Sequence, residues 1–366
     1  MLHPIRLFLL IAFLFIAVFS SCNGQVNSVR EASNKGRNSL GEIVSTLPEG
    51  ISTIFQDAGG NHWFGGDGVY KYDGEQITRF GLEDGLCGLS VIGIQQDQSG
   101  HLYFDTTEGI SKFDGIRFTT LEIVSGDAAE GQWKLSPDDL WFRAGWERSG
   151  PLRFDGTTLY ALELPKTNQA ELFFAAYPHA SFNPYGLYSI YKDRAGKMWF
   201  GTSSLGLCMF DGEKVYWMFE DELTTISGGG SFGIRSIFQD ANESFWICNT
   251  HYRYQVSPQI ASPEESEELV YTRREGVGEI DGHNPRAPMY FMAISEDKNG
   301  DLWMVTHDDG VSRFDGTNLS HYPIQQDGTD VNLFTCYTDN EGVVWLGSHN
   351  AGAWRFNGEV FEKFEP

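Results

Sequence analysis

A single repeated pattern constrains this chain more than any other feature. Residues 297–316, DKNGDLWMVTHDDGVSRFDG, show its grammar: Asp-x-x-Gly-x-x-Trp, a short apolar run, a polar loop closing on Gly, a second apolar run, then Phe-Asp-Gly. An Asp carboxylate can bond backbone N–H groups two or three residues on, and Gly accepts a positive φ, so Asp297 to Gly300 suits a tight turn. Leu302–Val305 and Val311–Phe314 alternate as half-buried strands do. Asp315-Gly316 is a strong hairpin signal.

The rest of the chain repeats this stretch. The marker aromatic occurs at Trp63, Tyr103, Trp141, Trp199, Trp246, Trp303 and Trp345, which makes seven units. Six residues before it stand Asp57, Asp97, Asp193, Asp240, Asp297 and Asp339; the third unit has Ser136-Pro137-Asp138-Asp139 in place of the turn, and the fifth has Asn242-Glu243 where Gly is expected. Hairpin dipeptides follow at Asp73-Gly74, Asp114-Gly115, Asp155-Gly156, Asp211-Gly212, Asp315-Gly316 and Asn357-Gly358, but not in unit five. An apolar run precedes most of the Asp residues and a short strand follows each hairpin. Four antiparallel strands in a unit of about 40–50 residues are the signature of a propeller blade. The chain is therefore expected to be all-β, a seven-bladed β-propeller of four-stranded antiparallel blades. Val360–Phe364 is expected to supply the last outer strand. The marker Trp should sit in the second strand, pack between blades and give its N–H to a backbone partner.

The units resemble those of the two-component regulator propeller family, which read as an apolar strand, D-x-x-G-x-L-W-[IF]-G-T, then G-[LIV]-x-[RK]-[YF]-D. Asp193-Arg-Ala-Gly-Lys-Met-Trp-Phe-Gly-Thr202 matches almost throughout, and the resemblance spans residues 51–364. It implies the propeller fold. By analogy it also implies a sensor role, since such propellers commonly form the periplasmic part of hybrid histidine kinases that read oligosaccharides. Those sensors pair two propellers with a β-sandwich, a membrane helix and a kinase, whereas one propeller is legible here.

Arg6 precedes an unbroken apolar run, Leu7 to Phe19, and Phe19-Ser20-Ser21-Cys22 resembles a bacterial lipobox. On that reading residues 1–21 are a lipoprotein signal peptide and Cys22 is the lipidated first residue of the mature chain. Asn23 in place of Asp points to the outer membrane. Residues 22–45 read as a flexible tether and 46–366 as the propeller. Cys87, Cys208, Cys248 and Cys336 are scattered without a CxxC and read as buried free thiols. The formal net charge of -24 argues against nucleic acid and anionic membrane surfaces as partners, so a membrane is reached only through the lipid anchor.

Strand order puts the Asp-x-x-Gly and Asp-Gly turns on one face. The loops between second and third strands, and the crossovers between blades, lie on the other face and vary. Varied loops on a rigid scaffold are where binding usually lives. Arg143, Trp146 and Arg148 lie on a long loop of unit three; Phe174, Tyr177 and Tyr185 come from the crossover into unit four. Arg235, Tyr290 and Asn332 stand at the entrances of inner strands. His251, His307 with Asp308, and His349 follow their unit's Trp by four or five residues, which sets them near the axis at similar heights. Imidazoles with carboxylates could bind a metal or serve as acid and base. Virginiamycin B lyase-type propellers use a His and metal on this face, but that resemblance is one of fold. No nucleophile elbow, phosphate loop or zinc spacing is present. The preferred reading is a non-enzymatic ligand-recognition or sensor-type propeller, with no metal or cofactor. Its partner is a small molecule or oligosaccharide, or a partner protein. The alternatives are a propeller lyase or hydrolase using the His/Asp ring, and a protein–protein scaffold.

Overall fold

The computed structural model describes residues 40–220, 223, 233–256, 268–277 and 290–366. The stretch read as a signal peptide, Cys22 and the stretch read as a tether as far as residue 39 lie outside these, as does most of 257–289. The described chain is a seven-bladed β-propeller. Six blades run in chain order from innermost to outermost strand, all antiparallel. The fourth, Leu187–Lys192, Met198–Thr202, Leu207–Phe210 and Val215–Met218, is representative. The first blade gains a fifth strand, Glu42–Val44, which pairs antiparallel with Ile77–Phe80. These three residues belong to the stretch read as tether; pairing with an outer edge orders them.

The spacing of the repeat has a physical cause. Asp193 Oδ1 accepts the backbone N–H groups of Ala195 at 3.0 Å and Lys197 at 2.8 Å, which closes the turn. Its Oδ2 accepts the indole N–H of Trp199 at 2.8 Å. The same bond joins Asp57 to Trp63, Asp240 to Trp246, Asp297 to Trp303 and Asp339 to Trp345 at 2.7–3.0 Å, and Asp97 takes the Tyr103 hydroxyl at 2.9 Å. The Trp partner is thus a turn carboxylate and not the backbone group that the sequence suggested. One side chain caps the turn and satisfies the buried indole, so the two residues must stand six apart. All seven marker aromatics are buried. In unit five Glu243 takes the Gly place and is held at φ 63, a left-handed conformation that costs a non-Gly residue about 1 kcal/mol.

Blade three departs from the pattern. Leu135 stands where the other units have Asp, and among the described residues the Trp141 indole N–H has no hydrogen-bond partner. Its sheet has no innermost strand; a short strand, Ile123–Val124, is added instead at the outer edge, parallel to Leu159–Ala161. Side chains take over the exposed inner edge. Gln95 of blade two donates to the Trp141 carbonyl at 2.7 Å. Asp105, also of blade two, accepts the N–H groups of Arg143 and Ala144, each at 2.9 Å. The Arg143 guanidinium donates to the Tyr188 carbonyl of blade four at 2.6 Å and to the Ile92 carbonyl of blade two. It therefore bridges the inner strands on either side of the gap.

Blade five corrects a boundary. Tyr252–Val256 pairs with Tyr271–Glu275, so the long insertion after residue 256 joins the third and fourth strands. The strand YTRRE is mostly exposed and carries no apolar alternation, which hid it.

Val344–Ser348, Ala353–Phe356 and Phe361–Lys363 complete blade seven, so the last strand lies where the sequence placed it. The ring closes through contacts between blades one and seven. The Ile51 N–H donates to the Ser348 carbonyl at 2.7 Å, and the Gln56 N–H to the Tyr337 hydroxyl at 3.0 Å. Phe64 stacks on Phe364 at 6.0 Å. Cys87, Cys208, Cys248 and Cys336 are unbonded, with Cys208 and Cys248 buried and the other two half-buried.

Candidate functional site

At the start of the inner strand or just before it, in six blades, one buried apolar residue anchors the chain between blades: Ile51, Val91, Leu187, Ile234, Phe291 and Leu333. The next residue is Ser52, Ile92, Tyr188, Arg235, Met292 and Phe334 in turn. In a strand, successive side chains point to opposite sides, so Ile92, Tyr188 and Phe334 are turned out of the anchor's packing. Five of the six, all but Met292, line one cavity of about 520 Å³ on the varied face. Trp146, Asp67, Ser90 and His349 also border it. A second cavity, of about 380 Å³, lies against the gap in blade three; Gln95, Asp105, Trp141, Arg143, Ser189 and Lys192 are among its lining residues. Tyr188 and Arg235 border both cavities. The Arg235 guanidinium sits over the Tyr188 ring, 4.5 Å from its centroid, a cation–π contact that holds the pair between the two spaces.

The sequence candidates divide accordingly. Trp146, Arg235 and His349 meet at the first cavity, and Arg143 borders the second. His307 faces His349 with ring centroids 5.6 Å apart, and Asp308 is exposed beside it. Asn332 is half-buried there: its carbonyl accepts the His349 N–H at 2.8 Å, as the His307 carbonyl accepts that of Leu333. Phe174 and Tyr177 are exposed but border neither cavity. They flank Phe173 on the crossover helix Gln169–Ala176, where Phe173, Phe174, Tyr177 and Phe182 form a small aromatic cluster. Tyr185 is buried against Trp217, and its hydroxyl accepts the Thr167 N–H at 2.9 Å. Its ring therefore belongs to the core beneath the crossover and not to an aromatic platform. Arg148 is half-buried away from both cavities; His251 is exposed against Tyr252, and Tyr290 pairs with Asn249 through an isolated bridge.

Tyr188 and Phe334 are aromatic lining residues that the candidates missed. Their signal was their register with Arg235: each follows the first buried residue of its inner strand. Tyr290 and Asn332 precede that residue and fall outside the cavity lining.

Burial dominates the electrostatics. It pushes the Asp105 carboxyl up, against the pull of Arg143 and of two backbone N–H groups. It pushes Arg143 down, and the Arg235 cation acts in the same direction. A guanidinium nonetheless stays charged in a protein. Burial also lowers His349, with His307 and Arg235 adding to the effect, so its imidazole is neutral at pH 7 and can donate or accept a hydrogen bond.

Among the described residues one group of side chains has metal-ligand geometry: His62, Asp339 and Glu341, with ligand atoms within 4.8 Å of one another. It lies at the seam between blades one and seven, among the turns. Asp339 Oδ2 already accepts the Trp345 indole at 2.7 Å and faces His62 Nε2 at 3.3 Å, while Glu341 accepts Gln56 Nε2 at 3.0 Å. Burial raises the Asp339 carboxyl, but the bonds from His62, Trp345 and the Val343 N–H outweigh it and leave it below its ordinary value. These contacts make the group a clasp across the closure.

The sequence model of the two component regulator propeller family matches residues 181–204, the crossover into blade four and its first two strands. No curated protein matches the chain. Among solved structures, the chain is similar to the extracellular domain of the hybrid two component system BT3049 from B. thetaiotaomicron, at 19% identity and a TM-score of 0.58, covering 86% of this chain and 40% of that one. The corresponding domain of BT4673 from the same organism is similar at 20% identity and a TM-score of 0.56, over 87% and 40%. The chain thus spans about 40% of the length of these extracellular domains. A virginiamycin B lyase from Staphylococcus aureus is similar at 14% identity and a TM-score of 0.55, over 86% of this chain and 97% of the enzyme. At these identities the likeness is one of fold.

Proposed function

We propose that this chain, which carries the two component regulator propeller repeat, is a ligand-recognition propeller of the sensor type without a catalytic role of its own. The observation that carries this reading is the axial cavity of about 520 Å³, where Trp146, Tyr188 and Phe334 meet Arg235, His349, Ser52, Ser90 and Asp67. Apolar walls with a few convergent polar groups are what a small-molecule site requires. Sugars fit such a lining, because their ring faces stack on aromatics while hydroxyls bond to polar side chains. The extracellular domains of similar fold support an exported protein. The lipobox-like Phe19–Cys22 supports a lipid anchor on Cys22, with the outer membrane as its destination.

Calorimetry against a panel of oligosaccharides tests the site. Trp146→Ala and Tyr188→Ala are each expected to weaken binding by about 1–3 kcal/mol, the range found for other ring-stacking sites. Affinity indifferent to both substitutions places the ligand elsewhere. Turnover of a substrate that needs His307 and His349 replaces recognition with catalysis; the facing imidazoles are the feature that would support it. For the anchor, Cys22→Ser is expected to move the protein from the membrane fraction to the soluble fraction or leave it uncleaved. A variant that still needs detergent for extraction removes the lipoprotein reading.

A further inference from the structure

We infer that the cavity at the gap in blade three is a subsite for an acidic group, a carboxylate or a sulfate ester, carried by the ligand that enters at the axial mouth. This rests on the recognition reading above and adds the ligand's charge to it.

The space exists because blade three lacks the inner strand that the other blades place there. Arg143 and Arg235 both border it, and Lys192 stands at its edge with Nζ bonded to the Pro137 carbonyl at 2.6 Å. Cations gathered at the axis are notable in a chain of net charge -24, whose average surface is acidic. The two carboxylates on the same wall are already engaged. Asp139 binds Arg153 at 2.7 Å, both side chains being buried, and Asp105 holds the N–H groups of Arg143 and Ala144. On the same wall Gln95 donates to the Trp141 carbonyl, and the Ser189 hydroxyl donates to the Ile234 carbonyl at 2.6 Å.

Arg143 has five N–H donors and the two neighbouring carbonyls take two of them, so the guanidinium can serve both the fold and a ligand. Arg235 is held over Tyr188 at the junction of the two cavities. A ligand stacked at Trp146 and Tyr188 would direct a substituent past this junction into the cationic space. A planar fork matches a carboxylate or sulfate in a bidentate manner, which a hydroxyl cannot reproduce. The surrounding burial that lowers Arg143 also means that an anion there is weakly screened by water.

The test uses the full mature protein and calorimetry with four probes: an oligogalacturonate, a sulfated glycosaminoglycan disaccharide, a neutral xylo-oligosaccharide and a neutral malto-oligosaccharide. The expected result is binding of one or both acidic probes at least tenfold tighter than the neutral ones, and the tighter of the two assigns the acidic group. Raising salt should weaken the acidic probes only. Arg235→Gln should cost the acidic probe at least tenfold, with Arg235→Lys recovering part of the loss. If Arg235→Gln does not fold, the salt dependence of the unaltered protein decides. Neutral probes that bind as tightly as acidic ones, or acidic binding indifferent to salt and to Arg235→Gln, overturn the acidic subsite and leave recognition at the mouth standing. Failure of all four probes to bind removes the recognition reading along with it.

Discussion

Deletion of residues 351–366 is expected to abolish the folded state and not merely to shorten one blade. The deleted segment holds the two outer strands of blade seven, Ala353–Phe356 and Phe361–Lys363. Trp354, Phe361 and Phe364 are buried within the intact ring. Phe361 packs on Trp303 of blade six at 5.6 Å, and Phe364 packs on Phe64 of blade one at 6.0 Å. The Gly352 N–H also bonds the Glu49 carbonyl at 2.7 Å. Burying each large side chain contributes about 1.5–3 kcal/mol, and a domain's whole net stability is only about 5–15 kcal/mol. The deletion also strips part of the cover from Phe64 of blade one and Trp303 of blade six. Near-UV circular dichroism and thermal unfolding provide the check. A truncated protein that keeps a cooperative transition within a few degrees of the full chain would show that closure does not depend on these strands.

The next largest effect is expected from Arg143→Ala. Its guanidinium bonds the Ile92 and Tyr188 carbonyls across the place of a missing strand and lies beside the buried Asp105. The Ile92 and Tyr188 carbonyls would each lose a charged donor, at about 1–3 kcal/mol apiece, while Asp105 would keep its two backbone N–H partners and lose a neighbouring cation. Arg143→Lys keeps the charge but has no fork to reach two carbonyls at once, so an intermediate loss is expected. Urea unfolding of the two variants measures both. If Arg143→Ala unfolds with the midpoint and slope of the unaltered protein, the side chain does not stand in for the strand.

The sequence by itself determined the blade count, the closing strand and the burial of the marker aromatics. All three follow from local chemistry: a turn carboxylate six residues before an indole, an Asp-Gly hairpin, and two-residue alternation. None of these depends on what a distant blade does. Among the candidates, His349 was chosen by its offset from Trp345, Arg235 as a strand entrance and Trp146 for the length of its loop; all three border the axial cavity.

Tertiary structure decided the rest. The absence of an inner strand in blade three follows from which side chains reach its edge, and Gln95, Asp105 and Arg143 come from two blades. The outer strand of blade five, Tyr271–Glu275, exists because Tyr252–Val256 is there to pair with it, not because its own residues alternate. Tyr185 is buried because the crossover folds Thr167 back onto its hydroxyl. Tyr188 and Phe334 reach the axial cavity because ring closure sets the register of every inner strand at once. Which side chains share a cavity is a property of the closed ring, and a repeat of about 40–50 residues carries no local signal for that.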